Sequence, residues 1–364
     1  MSRRPSRHAL AGPLLAVLLA VLGVSCSGAD TSASPPRSPS PSSAGPGPTA
    51  PSTAGETTGR PTPTSPTPTV QPSKPAAPSG ATGTPTARSK ADCPSPGACG
   101  FPDADTTGHR TKLTPHNTGY LAIRKSGTVI RGWDLKGSLD IYADDVTVID
   151  SRITSDSWWG INLRPGFSGL KVLHTTITAV PGKGPDNGGV DYAVSNMGGS
   201  SIEVGWCDVS VFGDALSMGQ GNLHDNYVHD IAPFVNLGGE WQHTNAVISG
   251  GGNTGHLIIR HNTLLNETSL KQGASGSIGL FADTGVVRNV TVDRNWIAGG
   301  AYALYGGSTG ATGIRVTDNI FSTEYHPNSG GYGVVAHWND KGAGNVWRNN
   351  RLSDGRLVTP EPAA

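Results

Sequence analysis

"LIIRHNTL" (257–264) is one of eight copies of a single phrase, and its reading decides the fold. The others are "VTVIDSRI" (146–153), "LKVLHTTI" (170–177), "IEVGWCDV" (202–209), "GNLHDNYV" (221–228), "VTVDRNWI" (290–297), "IRVTDNIF" (314–321) and "NVWRNNRL" (345–352). A weaker copy, "TVIRGWDL", stands at 128–135. The shared pattern is apolar-x-apolar-x-x-Asn-x-apolar, which is strand alternation on either side of a bend.

A second short phrase follows each copy: "DIYA", "GINL", "AVSN", "ALSM", "AVIS", "GLFA", "ALYG" and "GVVA". Its second residue is expected to point inward: Ile141, Ile161, Val194, Leu216, Val247, Leu280, Leu304 and Val334. Successive copies begin about 19 to 36 residues apart, too far for hairpins, and no helical period lies between them. Each repeat cannot bury its apolar face alone, so the coils must stack. An all-β parallel β-helix of about eight to nine coils follows. Asn226, Asn262, Asn295, Asn319 and Asn350 hold one position and should form a ladder of stacked amides, with Ser151, Thr175 and Cys207 in the earlier coils.

The seven residues "HDNYVHD" (224–230) look like a metal or catalytic cluster. Within the repeat they are a bend and a strand. Asn226 is the ladder residue, Leu223 and Val228 face the core, and His224 and Tyr227 face out. The two histidines lack zinc spacing, and no metal site is expected here.

The ends of the chain read differently. Arg3, Arg4 and Arg7 precede an apolar run from Leu10 to Leu22, too short to span a bilayer as a mature helix and typical of an export signal. "VLGVSC" resembles a bacterial lipobox with Cys26 as the lipidated residue, although Gly23 departs from the pattern. Residues 1–26 are read as the signal, and the protein as a lipoprotein on the outer face of the cell membrane or a secreted protein. Residues 27–92 are Pro, Ser, Thr, Gly and Ala with little to bury, a disordered linker. The β-helix domain is assigned to 93–358. Cys93 and Cys99 are expected to close a small disulfide loop, leaving Cys207 as a buried thiol.

The zero net charge conceals an asymmetry. Eight of the 27 Lys+Arg and three of the 27 Asp+Glu precede Cys93, leaving 19 against 24 in the domain. A mildly acidic domain without a basic stripe is not a nucleic-acid binder. A monomer is expected.

"GFPDADTTG" (100–108), "SGTVIRGWDLKG" (126–137) and "DVTVIDSRI" (145–153) carry a resemblance to the pectate-lyase-like superfamily. The chain is similar to its secreted actinobacterial members, which open with a GFPDA…TG segment. The resemblance implies a right-handed, single-stranded parallel β-helix and a carbohydrate-active function. It covers most of 93–356. Related sequences often carry "HSDGIQ" where this chain has "HTNAVI" (243–248), so Asn245 stands where an acid is usual. If the protein were a lyase, calcium would be the implied cofactor.

Loop lengths locate a site. Four long insertions, 178–192, 229–245, 265–278 and 322–332, leave the coil at the same corner and should wall a groove. Stacking brings Trp158 and Trp159, Asp191, Asp214, His243 and Asn245 into one column across successive coils. Asp191, Asp214 and His243 are the candidate catalytic residues. Trp158, Trp159, Glu240, Trp241, Asn245 and Lys271 are candidate substrate contacts. Aromatic faces and carboxylates together suit a polysaccharide. The expected function is polysaccharide cleavage by a lyase or a glycoside hydrolase; the alternative is a noncatalytic carbohydrate-binding or adhesin β-helix. Replacing Cys26 with Ala should release soluble protein into the medium and abolish lipid labelling, and a parent chain already soluble and unlabelled would dispose of the anchor.

Overall fold

The computed structural model describes residues 94–196 and 199–360. Cys26 and Cys93 lie outside the described residues, as do the signal and linker assignments. Within them the chain is a parallel β-helix, with two short 3-10 turns, Gly97–Cys99 and Leu270–Gln272, as its only helical elements. Cys99 is disulfide-bonded.

Each of nine coils runs through three faces. Sheet I holds nine strands, from Val129–Arg131 to Val346–Arg348. A bend leads to the short strands of sheet II, such as Tyr227–His229 and Thr263–Asn266. After a loop of variable length comes sheet III, including Trp159–Leu163, Tyr192–Asn196, Asp214–Ser217 and Asn245–Ser249. Sheets II and III form one 17-stranded network because Thr114–Ile123 and Trp133–Ile141 run through both. Pairing between successive coils is parallel.

The repeat phrase is the sheet I strand, the bend and the sheet II strand. At the bend, Asp150, His174, Trp206, Asp225, His261, Arg294, Asp318 and Asn349 have φ between 43° and 58°. These residues are not glycine, so each bend carries left-handed backbone strain that its neighbour must offset. That neighbour is the ladder residue. Asn226 donates from Nδ2 to Asn262 Oδ1 at 2.9 Å, Asn262 to Asn295 at 3.0 Å, Asn295 to Asn319 at 3.0 Å and Asn319 to Asn350 at 2.9 Å. Each of these acceptor oxygens also takes a backbone N–H from the coil before. In the earlier coils Ser151 and Thr175 donate instead to carbonyls two residues back, at 2.9 and 2.8 Å.

The core column of sheet III is Leu139, Ile161, Val194, Leu216, Val247, Ile278, Leu304 and Val335. The sequence alignment placed Ile141, Leu280 and Val334 in it, and these three correct by one or two residues. Phrase matching slips wherever the preceding corner differs in length. A slip of two keeps the same face, so Ile141 and Leu280 are still buried; in the last strand of the sheet Val334 and Val335 are both half-buried.

The segment that carries the family resemblance is a strap laid across the coils. Pro102 accepts a hydrogen bond from Thr263 Oγ1 at 2.6 Å, Gly108 donates to Trp206 at 2.9 Å, and Arg110 pairs with Asp150 at 2.8 Å. Cys207 is fully buried, and burial pushes its thiol up to about 12, so it packs rather than reacts.

Leu216→Asp should prevent folding, because it buries a charge without a partner. Asn295→Ala should cost about 1–3 kcal/mol in urea unfolding, since its amide serves both neighbouring coils. An unchanged midpoint for Asn295→Ala would show that the ladder is dispensable.

Candidate functional site

All four long insertions leave at the corner between sheets II and III, as their lengths predicted. They wall the outer face of sheet III. In strict register on that sheet, Trp159 pairs with Tyr192, Tyr192 with Asp214, and Asp214 with Asn245. Gly276 and Tyr302 continue the row. Trp159 and Tyr302 are therefore five coil steps apart, about 24 Å. Between them the floor alternates away from the core through Ser195, Ser217, Ile248 and Gly279.

Aromatic groups stand at both ends of this row. At one end the Arg164 guanidinium lies 5.6 Å from the Trp159 ring and 5.4 Å from Tyr142, and Arg124 lies 4.5 Å from Tyr142. Asp140 sits beneath them; burial raises its pKa and Arg164 opposes that rise. At the other end Phe281, Tyr302, Tyr305, Tyr332 and His337 form a connected set of rings, with neighbouring centroids 5.0–5.9 Å apart.

Midway lie three carboxyl groups. Asp191, Asp214 and Asp186 are 7, 2 and 7% exposed. Burial, then the charges of Asp186 and Asp214, push Asp191 up to about 8. Burial pushes Asp214 up to about 7, although Asn245 Nδ2 donates to it at 2.8 Å and Gln242 Nε2 at 3.4 Å. No cation acts on either group, so desolvation prevails. Asp191 is one residue short of the register row, and its carbonyl accepts the Asp214 N–H at 2.7 Å.

The remaining sequence-predicted residues are spread along the walls. His243 is exposed, and its charge acts on Asp283 from a turn at the far side of sheet III. Trp158 is half-buried and its carbonyl accepts the Tyr192 N–H at 3.2 Å. Glu240, Trp241 and Lys271 are exposed on the loops. Strand pairing thus sets Trp159, Tyr192, Asp214 and Asn245 in one row with Asp191 beside it, and the exposed His243 precedes Asn245, whose Nδ2 donates to the His243 carbonyl at 3.3 Å. Sequence reasoning missed Asp186, Gln242 and Phe234. A methyl at Gly213 would come within 2.8 Å of the Phe234 ring, and the same ring occupies the space over Gly189. Glycines at both positions are the one trace of this packing in the sequence.

The "HDNYVHD" histidines are clamped. His224 lies 2.8 Å from Asp225 and 3.3 Å from Glu203; His229 lies 2.9 Å from Asp208 and 2.8 Å from Asp230. Carboxylates only accept, so both nitrogens of each ring face acceptors, an arrangement that favours the doubly protonated ring. The bond to Asp225 raises the pKa of His224; burial opposes the charge on His229, but Asp208 and Asp230 outweigh it and raise that pKa too. Among the described residues no group of three or more His, Cys, Asp or Glu could hold a metal ion. A shallow concavity of about 530 Å³ lies on sheet I beside Lys171, Glu203 and His256, on a different face from Asp191 and Asp214. Its Lys171–Glu203 pair is already closed at 3.0 Å. Chemistry, rather than volume, singles out the row on sheet III.

Compared with known protein families, curated proteins and solved structures, the chain matches none of them.

The folded protein holds the Asp191 proton more tightly than an unfolded chain does. Stability should therefore be complete in acid and fall as pH rises from the ordinary carboxylate range through about 8. Asp191→Asn should raise stability at pH 9 by on the order of 2–4 kcal/mol and change little at pH 4. Denaturant curves at the two pH values check this, and equal shifts at both would refute it.

Proposed function

We propose that this chain is an exported, carbohydrate-active β-helix protein that holds a polysaccharide along the outer face of sheet III and hydrolyses it. The resemblance of its "GFPDADTTG" segment to pectate-lyase-like proteins supports the class. The observation that carries the reading is the pair Asp191 and Asp214, which burial pushes up to about 8 and about 7, between two aromatic ends. A glycosidic oxygen must be protonated as its bond breaks, and a carboxyl with a raised pKa does this. The two groups belong to neighbouring coils, roughly 5 Å apart, and the charge of Asp214 acts on Asp191, which suits the close acid and nucleophile of a retaining glycosidase. Asp191, the higher of the two, is the proton donor. Asp214, ionised, is the nucleophile, and Asn245 fixes its orientation.

Elimination is the weaker reading. It needs a cation to neutralise a uronate carboxylate, and Arg164 is engaged by Asp140 at 3.5 Å and by two aromatic rings. One observation favours binding without cleavage: Asp214 is sealed beneath Gln242 and Phe234.

A polysaccharide panel tests these readings through new reducing ends and through retention of the chain by the protein. Asp214→Asn should lower turnover at least a hundredfold with affinity nearly unchanged. Trp159→Ala should weaken binding more than turnover. A polysaccharide bound but never cleaved would establish the adhesin reading, and one neither bound nor cleaved would end both.

A further inference from the structure

Asp214, one of the two carboxyl groups proposed as catalytic, is 2% exposed and is met by Gln242 from one piece of chain. Residues 233–242 form a small hairpin: Val235 and Trp241 make an antiparallel bridge, Asn236 donates to Glu240 at 2.8 Å, and Gln242 donates to Phe234 at 2.9 Å. The hairpin is anchored at its two ends, where Ala232 donates to Phe212 at 3.0 Å and Thr244 to Gly273 at 3.0 Å. Its tip is solvent-facing, with Leu237 63% and Trp241 40% exposed.

What holds the hairpin down is the neighbouring loop, 180–191. Leu237 N–H donates to Asp186 Oδ1 at 2.6 Å and Asn187 Nδ2 donates to Val235 O at 3.0 Å. Phe234 lies on Gly189 and Gly213, where no side chain could be. Gln242 reaches Asp214 by the longest of these bonds, 3.4 Å. Asp186 also shares a side-chain hydrogen bond with Asp191. Two carboxyl groups can bond only while one keeps its proton.

We propose that residues 233–242 are a lid over the Asp191–Asp214 site, and that Asp186 is the positioning residue that latches it through its bonds to Leu237 and Asp191. The inference deepens the hydrolase reading, for which the lid must part to admit a sugar. The groups facing the latch are few. Loop 180–191 adds Lys183, which is exposed; the hairpin and its C-terminal anchor add exposed Glu240 and His243; sheet III adds Asp214. No cation compensates Asp191 or Asp214. Losing the shared proton sets like charges against one another, and the hairpin is the element free to move.

The closed state holds the proton more tightly than the open one, so closure weakens as pH rises from the ordinary carboxylate range through about 8. Hydrogen exchange of 233–242, corrected for intrinsic rates and followed from pH 5 to 9 without substrate, reads this directly. The opening constant should rise by up to about tenfold per pH unit below pH 8. Asp186→Asn should flatten that dependence. Asn187→Ala should raise opening at every pH and leave the slope intact. Should Asp186→Asn not fold, Asp191→Asn removes the other half of the latch and carries the same expectation. Exchange that is independent of pH in the parent, or a slope that survives loss of the latch, overturns the proposal. Because no sugar is present, that result stands whether or not any polysaccharide is cleaved.

Discussion

The ladder residue at the bend between sheets I and II is the constraint on which the rest of the molecule depends. Each bend places a residue other than glycine in left-handed backbone, at a cost of roughly 1–2 kcal/mol. The adjacent asparagine offsets this with bonds in both directions along the stack. Asn295 donates to Ile259 O at 2.9 Å and to Asn319 Oδ1 at 3.0 Å, and its own oxygen accepts from Asn262 N–H at 2.9 Å and Nδ2 at 3.0 Å. The amide is fully buried, so any slip between coils would strand several polar groups at once. One side chain thereby fixes the bend, the register and the distance between coils.

A fixed bend pushes variation elsewhere. Sheet I, the bend and sheet II are nearly constant in length, and the freedom to insert falls at the next corner, which opens onto sheet III. The loops there lie over a surface whose row of Trp159, Tyr192, Asp214 and Asn245 is aligned by strand pairing. Site geometry is thus inherited from the ladder, and its covering is supplied by loops that the ladder does not constrain. The strap from Gly100 to Arg110 reinforces the opposite corner, where His261 accepts Phe101 against its ring at 5.6 Å and meets Gly100 O at 2.8 Å.

What could be read in the sequence follows the same division. The ladder asparagines, the coil number and the corner that carries the insertions were legible, because each is a local pattern repeated many times. The same grammar showed that "HDNYVHD" is a bend and a strand. It did not show that His224 and His229 bridge carboxylates from two coils, since Glu203 and Asp208 are 21 residues away in each case. Asp214 and Asn245 were legible as neighbours because both begin strands. Asp186 was not, because it lies inside a loop whose path depends on Phe234 filling the space over two glycines in other segments. Loops without a repeat leave no register to read.

A buried carboxyl without a cation is a liability that a fold must be able to carry. Asp186, Asp191 and Asp214 are three such groups side by side, each at most 7% exposed. For a purely structural role a neutral amide would serve the same bonds at lower cost, and Asn245 in the next coil does so. Asp150 is compensated instead: Arg110 and Arg131 hold it, both at 2.8 Å, and with the first bond leading its pKa is lowered. The contrast between Asp150 and Asp214, both nearly inaccessible, separates an acid whose charged form is held by ion pairs from one whose charged form burial disfavours. Retaining the second kind where the wall loops meet is intelligible if a proton is to be held there and given up, as the proposed hydrolysis requires.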